Sequence, residues 1–392
     1  MKEHVLILAT TNNFLLKFEL NNVKQLIDMG YTVHYAANLL EPVYTDDRLK
    51  MKAMGIVLHH IEIARSPYMF KNNFKALLQL KKLIKEYGIK IIHCHTPVGG
   101  LLGRLAVLGI KRGRPVVIYT AHGFHFYKGA PLYNRLVFFN IERVLARLTD
   151  IIIVINEEDY AALGRLWLKK GAAVFKINGV GLDLCRYKPQ SEKLRARLRR
   201  MLKLSDSQFF ILSVGELNDN KNHVGMLNAL KLLKDNNKLY NIKYGIVGDG
   251  FLKWQLLDSI KRLGLEDVAT LYSYRQSPRA FLAACDGFAF VSKREGLGMA
   301  ALEALAMGVP VIATDNRGTR EYMQDGKNGF VVPFGDTAAL ANAILKLKNL
   351  DISALGQIKE AAAATPYNFD VKASFKVMEK VYNFAKDKTK GR

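Results

Sequence analysis

The segment VSKREGLGMAALEALAMGVPVIATD, residues 291–315, decides how the rest of the chain is interpreted. It predicts a strand that ends at Ser292, a glycine-rich turn, a helix from about Met299 to Met307 and a second strand over 311–313. A helix that begins at such a turn directs free backbone N–H groups toward it, and these groups favour a phosphate oxygen. The segment therefore predicts a phosphate site within a frame of alternating strands and helices.

Two carboxylates accompany this turn, Glu295 within it and Glu303 inside the helix. Carboxylates on either side of a phosphate site can hold neutral hydroxyls, and a phosphate between two polyols describes a sugar nucleotide. Solvated surface carboxylates at this spacing are the competing interpretation. Glu303 is the one charge in residues 299–306, and an unpaired buried carboxylate is costly. Glu303 therefore lies either on an exposed stripe or in a functional site.

Length and composition predict two globular domains in a reducing compartment. The 392 residues are 49% hydrophobic, which is enough for two cores. The three cysteines, Cys94, Cys185 and Cys285, are scattered and odd in number, so we expect no disulfide framework. The first residues, MKEHVLILATTNN, predict a buried strand rather than a secretion signal, and no run of 18 apolar residues occurs. We therefore expect a cytoplasmic protein.

Three kinds of anionic partner could explain the net charge of +23: nucleic acid, a membrane surface or a substrate. The sequence has no helix-turn-helix, zinc-finger spacing or RNP signature, so we expect no nucleic acid. A peripheral enzyme at the inner face of the cell membrane fits better. Residues 65–85 and 124–147 are the candidate membrane-facing segments, because they mix aromatic and basic residues. An ordinary surface helix packed on a sheet is the alternative, and both can hold.

Short apolar runs alternate with amphipathic stretches along the whole chain, which predicts an α/β protein with two doubly wound parallel sheets. Ligands are then expected beyond the carboxyl ends of the strands. The predicted strands are Val5–Ala9, Thr32–Ala36, Ile89–His93, Val116–Thr120 and Ile151–Ile155 in the first half, and Phe210–Val214, Tyr244–Val247, Gly287–Val291 and Val311–Thr314 in the second.

Residues 291–315 resemble the nucleotide-sugar site of retaining family 4 glycosyltransferases of the GT-B type, which carry an E-x7-E pattern. The likeness covers nearly the whole chain and is strongest from Phe210 to Pro333. It is closest to the bacterial branch that builds capsule, exopolysaccharide or related lipid-linked glycans. The resemblance implies two Rossmann-like domains facing across a cleft, with an acceptor-binding domain at 1–189 and a nucleotide-sugar domain at 190–366. It also implies that a C-terminal helix, 367–392, crosses back to the first domain.

By the same resemblance, Glu295 holds hydroxyls of the donor sugar and Glu303 holds the ribose. Lys221 matches the lysine on the leaving diphosphate, although a solvated loop lysine is the alternative. Glu216 stands where the family usually has an arginine, and a carboxylate there would repel phosphate, so Arg294 and Arg275 are candidates for the missing charge. The remaining donor-side candidates are Gly215, Asn222, Gly248, Tyr274, Gly296, Leu297, Gly298 and Met299.

In the first half, His122 follows the strand Val116–Thr120. The family places a histidine here that faces the donor sugar, although a histidine that only caps the strand end is the alternative. His93 and His95 could suggest a metal, but no third ligand lies at a recognisable spacing, so we expect no metal. The acceptor-side candidates are Thr11, Asn12, His95, Gly99 and Phe124.

These features predict a retaining transfer from a UDP-sugar to a polyprenyl-diphosphate-linked saccharide. The donor sugar is expected to be an N-acetylhexosamine or a hexose. No clustered Asp pair indicates a divalent ion, so the transfer is expected to be metal-independent, with no cofactor. An inverting GT-B transferase or a UDP-sugar epimerase is the first alternative, with His122 as its general base. A non-enzymatic protein that binds nucleotide sugars or nucleic acid is the second.

Overall fold

The computed structural model describes residues 2–40 and 46–391, in which the strands form two parallel sheets, one in each of two units. Unit 1 is Met1–Gly181 with Lys372–Arg392, and unit 2 is Leu182–Val371. The sheet of unit 1 has the order β3-β2-β1-β4-β5-β6-β7. Its strands are β1 (His4–Thr11), β2 (Thr32–Asn38), β3 (Val57–His60), β4 (Ile91–Cys94), β5 (Val116–Ala121), β6 (Ile151–Val154) and β7 (Ala173–Lys176).

The sheet of unit 2 repeats this arrangement with the order β10-β9-β8-β11-β12-β13. In both sheets the chain starts in the middle, winds to one edge, and then returns past the first strand to the other edge. This is the Rossmann order, and its switch point lies between β1 and β4 in unit 1 and between β8 and β11 in unit 2. The strands are β8 (Phe209–Val214), β9 (Ile242–Val247), β10 (Ala269–Tyr272), β11 (Gly287–Phe290), β12 (Val311–Thr314) and β13 (Gly329–Val332).

Helices connect successive strands and cover the sheets, which is why the central strands are buried and mostly apolar. In unit 1 they are α1 (Leu20–Asp28), α2 (Arg48–Ala53), α3 (Phe70–Tyr87), α4 (Pro97–Ala106), α5 (Leu132–Leu145) and α6 (Glu157–Leu163), with a π-helical turn at Leu15–Glu19. In unit 2 they are α7 (Glu192–Met201), α8 (His223–Asp235), α9 (Lys253–Arg262), α10 (Arg279–Ala284), α11 (Met299–Ala306), α12 (Thr337–Lys348) and α13 (Ile352–Ala364).

The last helix, α14 (Val371–Lys390), packs on unit 1. Ser374 Oγ donates to the carbonyl of Gly179 at 3.1 Å, and the hydroxyl of Tyr382 lies 3.0 Å from His93 Nδ1. The return of the C-terminal helix to the first domain is therefore confirmed. The chain enters unit 2 at Leu182 and leaves it at Val371, so residues 189 and 366, where the sequence-based boundaries fall, both lie in unit 2.

The fold class is confirmed, but the sequence failed to predict four strands, and all four lie at sheet edges. The missed strands are β3, β7, β10 and β13, each four residues long. An edge strand has one neighbour and is often covered on one face only, so its sequence need not form a continuous apolar run. The pattern that revealed the central strands is therefore weaker at the edges.

The three cysteines are free, as predicted, with Cys94 and Cys285 buried and Cys185 exposed. Within the described ranges, none of the helices combines the length and the apolar character needed to cross a membrane.

Candidate functional site

The switch point of unit 2 brings together the loop after β8 and the turn before α11. The backbone N–H of Lys293 donates to the Asn220 carbonyl at 2.7 Å, and Asn220 Nδ2 donates to the Arg294 carbonyl at 3.0 Å. Lys221 Nζ then donates to Glu295 Oε1 at 2.5 Å, with side-chain exposures of 21% and 14%. The two residues that the sequence singled out for catalysis in this unit are therefore in direct contact.

Helix α11 begins at this turn with its N-terminal backbone groups uncapped by any side chain among the described residues. Gly298, its N-cap, has φ +94°, and a Cβ there would lie 2.5 Å from the ring of Phe290. Only glycine therefore fits, because both the backbone angle and the space exclude a side chain. Glu295 and Gly298 line the positive end of the helix, where an anion is favoured.

Glu303 lies on α11, half-buried and near Tyr187, whose hydroxyl is hydrogen-bonded to the Glu303 carboxyl group. Burial, followed by the charge of Glu303, raises the pKa of Tyr187, while the positive charges of Arg186 and Arg279 oppose this shift. Glu303 is therefore neither on a fully exposed stripe nor without a partner. The sequence reading missed Tyr187 and Arg279, because neither lies near Glu303 in the chain.

Two glycines allow the loops after β8 and β9 to approach each other. A Cβ on Gly248 would lie 1.9 Å from the carbonyl oxygen of Gly215, and a Cβ on Gly215 would lie 3.2 Å from the side chain of Lys221. The backbone N–H of Leu217 also donates to the carbonyl of Asp249 at 2.9 Å. Gly215 and Gly248 therefore allow the close backbone approach that positions Lys221.

The remaining donor-side candidates have varied environments. The exposed ones are Glu216, Arg275 and Arg294, the half-buried ones are Tyr274, Gly296 and Met299, and the buried one is Leu297. Asn222 has a structural use, because its Oδ1 accepts from the Gly225 N–H at 3.2 Å and caps α8. Glu216, at the position where the family usually has an arginine, is an exposed residue.

The prediction from sequence also did not include the loop after β12. Arg317 is 8% exposed, and its Nε donates to the backbone carbonyl of Glu295 at 3.3 Å. A Cβ on Gly318 would lie 2.9 Å from Glu295 Cβ, so this loop packs directly on the turn. The rule that ligands lie at the carboxyl ends of parallel strands could have indicated it, because β12 itself was predicted.

The switch point of unit 1 holds a buried polar group made by β4, β5 and the π-helical turn. His95 Nδ1 lies 3.2 Å from His122 Nε2 and 3.5 Å from Glu19 Oε1. Phe14 packs on both histidines, with ring-centroid distances of 5.2 and 5.5 Å. His95, which was expected on the acceptor side, and His122, which was expected to be catalytic, are therefore in contact.

The other acceptor-side candidates lie at the same edge of the sheet. Thr11 Oγ1 donates to Asn13 Oδ1 at 3.3 Å, and Asn12, 2% exposed, donates from Nδ2 to Asp46 Oδ1 at 3.2 Å. A Cβ on Gly99 would lie 2.9 Å from Thr96 Oγ1, which also accepts from the Gly99 N–H. Phe124 is 3% exposed and belongs to the hydrophobic core of unit 1.

Glu19 completes a cluster that the sequence did not reveal. One ligand atom from each of Glu19, His93 and His95 lies within 4.8 Å of the other two, and all three side chains are buried. Burial raises the pKa of Glu19 to about 8, lowers the pKa of His93 to about 3, and lowers the pKa of His122 to about 4. The third potential ligand lies 74 positions before His93 and is brought to it only by the fold.

Two family models match this chain. The one described as "Glycosyl transferases group 1" matches residues 195–364, which lie within unit 2 and contain Lys221, Glu295 and Glu303. The one described as "Glycosyl transferase 4-like" matches residues 4–156, which lie within unit 1 and contain His95 and His122.

Similar proteins extend over most of the chain. A protein of Bacillus subtilis (strain 168) that carries the glycosyltransferase name EpsD is 37% identical over 348 residues, which are 88% of each chain. The UDP-Gal:alpha-D-GlcNAc-diphosphoundecaprenol alpha-1,3-galactosyltransferase of Escherichia coli is 28% identical over 306 residues, covering 78% of this chain and 76% of that enzyme. The crystal structure of Anabaena HepE in complex with UDP-glucose has a TM-score of 0.77 at 20% identity, covering 97% of this chain and 99% of that one. The likeness to HepE shows a shared fold.

Proposed function

Because the chain belongs to the family 4 glycosyltransferases of the GT-B type, we propose that it transfers a sugar from a UDP-sugar to a lipid-linked saccharide with retention of configuration. The transferase activity itself follows from the family. The single observation that carries the finer proposal is the contact between Lys221 and Glu295 at the N-terminus of α11. Retention is proposed because the E-x7-E pattern resembles that of retaining members.

The chemistry of unit 2 centres on the diphosphate that leaves the donor sugar. Negative charge develops on this group in the transition state, so fixed positive charge directed at it lowers the barrier. Lys221 supplies a full charge, and the uncapped N-terminus of α11 supplies backbone N–H groups. Without a donor, Lys221 and Glu295 neutralise each other; with a donor, we expect Lys221 to pair with the phosphate.

The two carboxylates then hold neutral hydroxyls. Once Lys221 pairs with the phosphate, Glu295 can accept hydrogen bonds from hydroxyls of the donor sugar. Glu303, held by Tyr187, can accept from the ribose hydroxyls. Because Lys221 and α11 supply the stabilisation, we propose that the leaving diphosphate needs no Mg²⁺ or Mn²⁺.

UDP is proposed as the nucleotide, and an N-acetylhexosamine or a hexose as the sugar. The Escherichia coli relative is named for a UDP-sugar donor and a diphosphoundecaprenol-linked acceptor, which supports this choice of substrate classes. We assign the acceptor to unit 1 and the pathway to cell-surface polysaccharide synthesis. A polyprenyl-diphosphate-linked acceptor would bring the enzyme to the inner face of the cell membrane.

The surface of unit 1 supports membrane association. On α3, Ala76, Leu80 and Leu83 pack inward, whereas Phe70 and Phe74 are 73% and 63% exposed. The N-terminal half of α5 adds further exposed apolar residues, and basic residues accompany both helices. Each helix follows a parallel strand, so both N-terminal halves lie near the carboxyl edge of the sheet, where His95 and His122 also lie. The additional exposed apolar residues are Tyr68, Met69, Leu78, Leu132, Tyr133 and Leu136, and the exposed basic ones include Lys71, Lys75, Lys128 and Arg135.

The decisive experiment measures donor hydrolysis and thermal stabilisation across a panel of nucleotide sugars for the wild type and Glu303→Ala. We expect one UDP-sugar to stabilise the wild type and to stabilise the variant less. The anomeric configuration of the product made with a membrane-extract acceptor then tests retention, and an inverted product would overturn that part. Stabilisation by a GDP-sugar alone would overturn the proposal of UDP.

A further inference from the structure

The buried cluster of Glu19, His93 and His95 in unit 1 contains a potential metal-ligand atom, His95 Nε2, that has no hydrogen-bond partner among the described residues. Glu19 is 1% exposed, and His93 and His95 are 0% exposed. Glu19 accepts from Asn22 Nδ2 at 2.6 Å, which leaves its other oxygen, Oε1, facing His95 Nδ1 at 3.5 Å.

His95 has no satisfactory tautomer in this environment. Its Nδ1 faces both Glu19 Oε1 and His122 Nε2, and its Nε2 is buried with no hydrogen-bond partner. If Nδ1 carries the proton, the lone pair of Nε2 has no donor. If Nε2 carries it, that N–H has no acceptor, and the lone pair of Nδ1 faces a carboxyl oxygen. Either arrangement leaves a buried polar atom of His95 without a hydrogen-bond partner among the described residues, which is unfavourable.

Glu19 also lacks a permanent counter-charge. Its one ion-pair contact within residues 2–40 and 46–391 is with His95, whose imidazole carries a charge only when it is protonated. A divalent cation would compensate the carboxylate while leaving the imidazoles neutral, which is the form in which histidine binds metals.

The distances suit a metal ion. Ligand atoms that surround zinc tetrahedrally at about 2.0–2.1 Å lie about 3.4 Å from one another, and His95 Nδ1 is 3.5 Å from Glu19 Oε1. One ligand atom of His93 lies within 4.8 Å of a ligand atom of each of these two residues. His93 lies beside them, with its nitrogens bonded to the Tyr382 hydroxyl and to Thr120 Oγ1. A metal-bound histidine normally keeps one such outer hydrogen bond, so His93 would exchange one of the two for the metal.

We propose that Glu19, His93 and His95 bind a divalent transition-metal ion such as Zn²⁺. His122 lies next to this site, with its Nε2 3.2 Å from His95 Nδ1. Imidazole nitrogens with one carboxylate suit zinc, cobalt or nickel better than magnesium or calcium, which prefer all-oxygen sites. The ion would hold the π-helical turn Leu15–Glu19 against the end of β4. This metal site would lie in unit 1, so the proposal that the leaving diphosphate needs no Mg²⁺ or Mn²⁺ is unchanged.

The test uses the full chain, purified without a polyhistidine tag and loaded with Zn²⁺ or Co²⁺. After dialysis, elemental analysis should find about one ion per chain, and bound Co²⁺ should give the intense visible absorption of a low-coordinate site. Glu19→Gln should weaken binding by at least about 10–100-fold, the loss that removal of an outer hydrogen-bonding partner of a metal ligand already causes. Zn²⁺ should also raise the thermal midpoint of the wild type more than that of the variant.

A matched control comes from a second row of histidines in unit 1. His34 lies 2.8 Å from His4 and 2.8 Å from His59 through ring nitrogens, and no group of potential metal ligands among the described residues includes them. His59→Gln should therefore leave the metal content unchanged. A wild type that retains no stoichiometric metal and shows no thermal shift would overturn the proposal, and it needs no variant to fold. Equal loss in Glu19→Gln and His59→Gln would overturn it as well.

Discussion

Lys221 and Glu295 form a 2.5 Å ion pair that joins the loop after β8 to the turn before α11. Lys221 Nζ also lies 5.1 Å from the centroid of the Phe290 ring, which limits its motion. The pair is partly buried, so solvent screens it less than a surface pair. Binding of a diphosphate would therefore replace one partner of Lys221 by another without moving the lysine far.

Replacement of Lys221 by alanine should lower the rate of sugar transfer by about 10²–10³, which is typical for loss of one preorganised donor to developing charge. The fold should be retained, because the side chain reaches out from a loop. The measurement is donor turnover together with the thermal midpoint. Lys231→Ala is the matched control, since Lys231 pairs with Asp235 on the surface of α8. Near-normal turnover of Lys221→Ala would remove this residue from the phosphate clamp.

Tyr187→Phe removes the hydrogen bond to Glu303 and keeps the aromatic ring. A hydrogen bond to a charged group contributes about 1.5–3 kcal/mol, so we expect the affinity for a UDP-sugar to fall by about tenfold or more. Titration calorimetry with UDP and the donor would measure this change. Tyr367→Phe serves as the control, because Tyr367 is 69% exposed in the same unit. Equal affinity in the two variants would contradict a role of Tyr187 in holding Glu303.

Two glycine-to-alanine substitutions in unit 2 should have opposite effects. In Gly248→Ala the new methyl group would lie 1.9 Å from the carbonyl oxygen of Gly215, so the loops that position Lys221 must separate. Stability and donor binding should both fall. Gly356 lies within α13, and a Cβ there would have no described atom within 4 Å apart from its chain neighbours and the backbone of its own helix. Alanine there should raise the free energy of unfolding by up to about 1 kcal/mol. Denaturation curves of both variants decide this, and a stable Gly248→Ala that binds donor would refute the close approach.

Acid should destabilise unit 1 through His34 and His59, which lie in a row with His4. Burial, and then the neighbouring His59 and His4, lower the pKa of His34 from 6.5 to about 4. Burial also lowers the pKa of His59, which Glu86 opposes, and Tyr87 packs on both rings. The folded state keeps His34 neutral, so its contribution is complete above pH 6.5 and is lost as the pH falls toward 4.

The thermal midpoint between pH 7 and pH 4 measures this effect, with His34→Asn as the variant. Its midpoint should fall less steeply with decreasing pH than that of the wild type, whatever its value at pH 7. Parallel curves would show that His34 does not carry this part of the acid sensitivity.

The exposed aromatic residues of α3 should contribute to membrane binding. Phe70→Ser combined with Phe74→Ser removes two large apolar side chains, each worth about 1.5–3 kcal/mol when buried. We expect at least a tenfold loss of binding to vesicles that contain anionic phospholipid, because the lysines remain. Tyr240→Ser is the control, since Tyr240 is 77% exposed in unit 2. If vesicle sedimentation gave the same binding for both proteins, this surface of α3 would not contribute to membrane binding.

The sequence alone determined the central strands of both sheets and the donor loops of unit 2. Central strands of a parallel sheet are covered on both faces, so they show as continuous apolar runs. Loops that follow such strands are drawn to one edge by topology, which is why Lys221 and Glu295 could be named before their contact was seen. Glu303 could also be singled out from the sequence, because it is the one charged residue in residues 299–306.

Tertiary structure alone decided the four edge strands, the partner of Glu303 and the third member of the buried cluster. The edge strands depend on one neighbour each, and their sequences carry little of the pattern. Tyr187 and Glu303 are 116 positions apart in the sequence, and Glu19 and His93 are 74 positions apart. No local periodicity encodes such long-range contacts, because they arise from how the helices pack on each sheet. The sequence thus determined which residues lie at the carboxyl ends of the strands, and packing decided which of them touch.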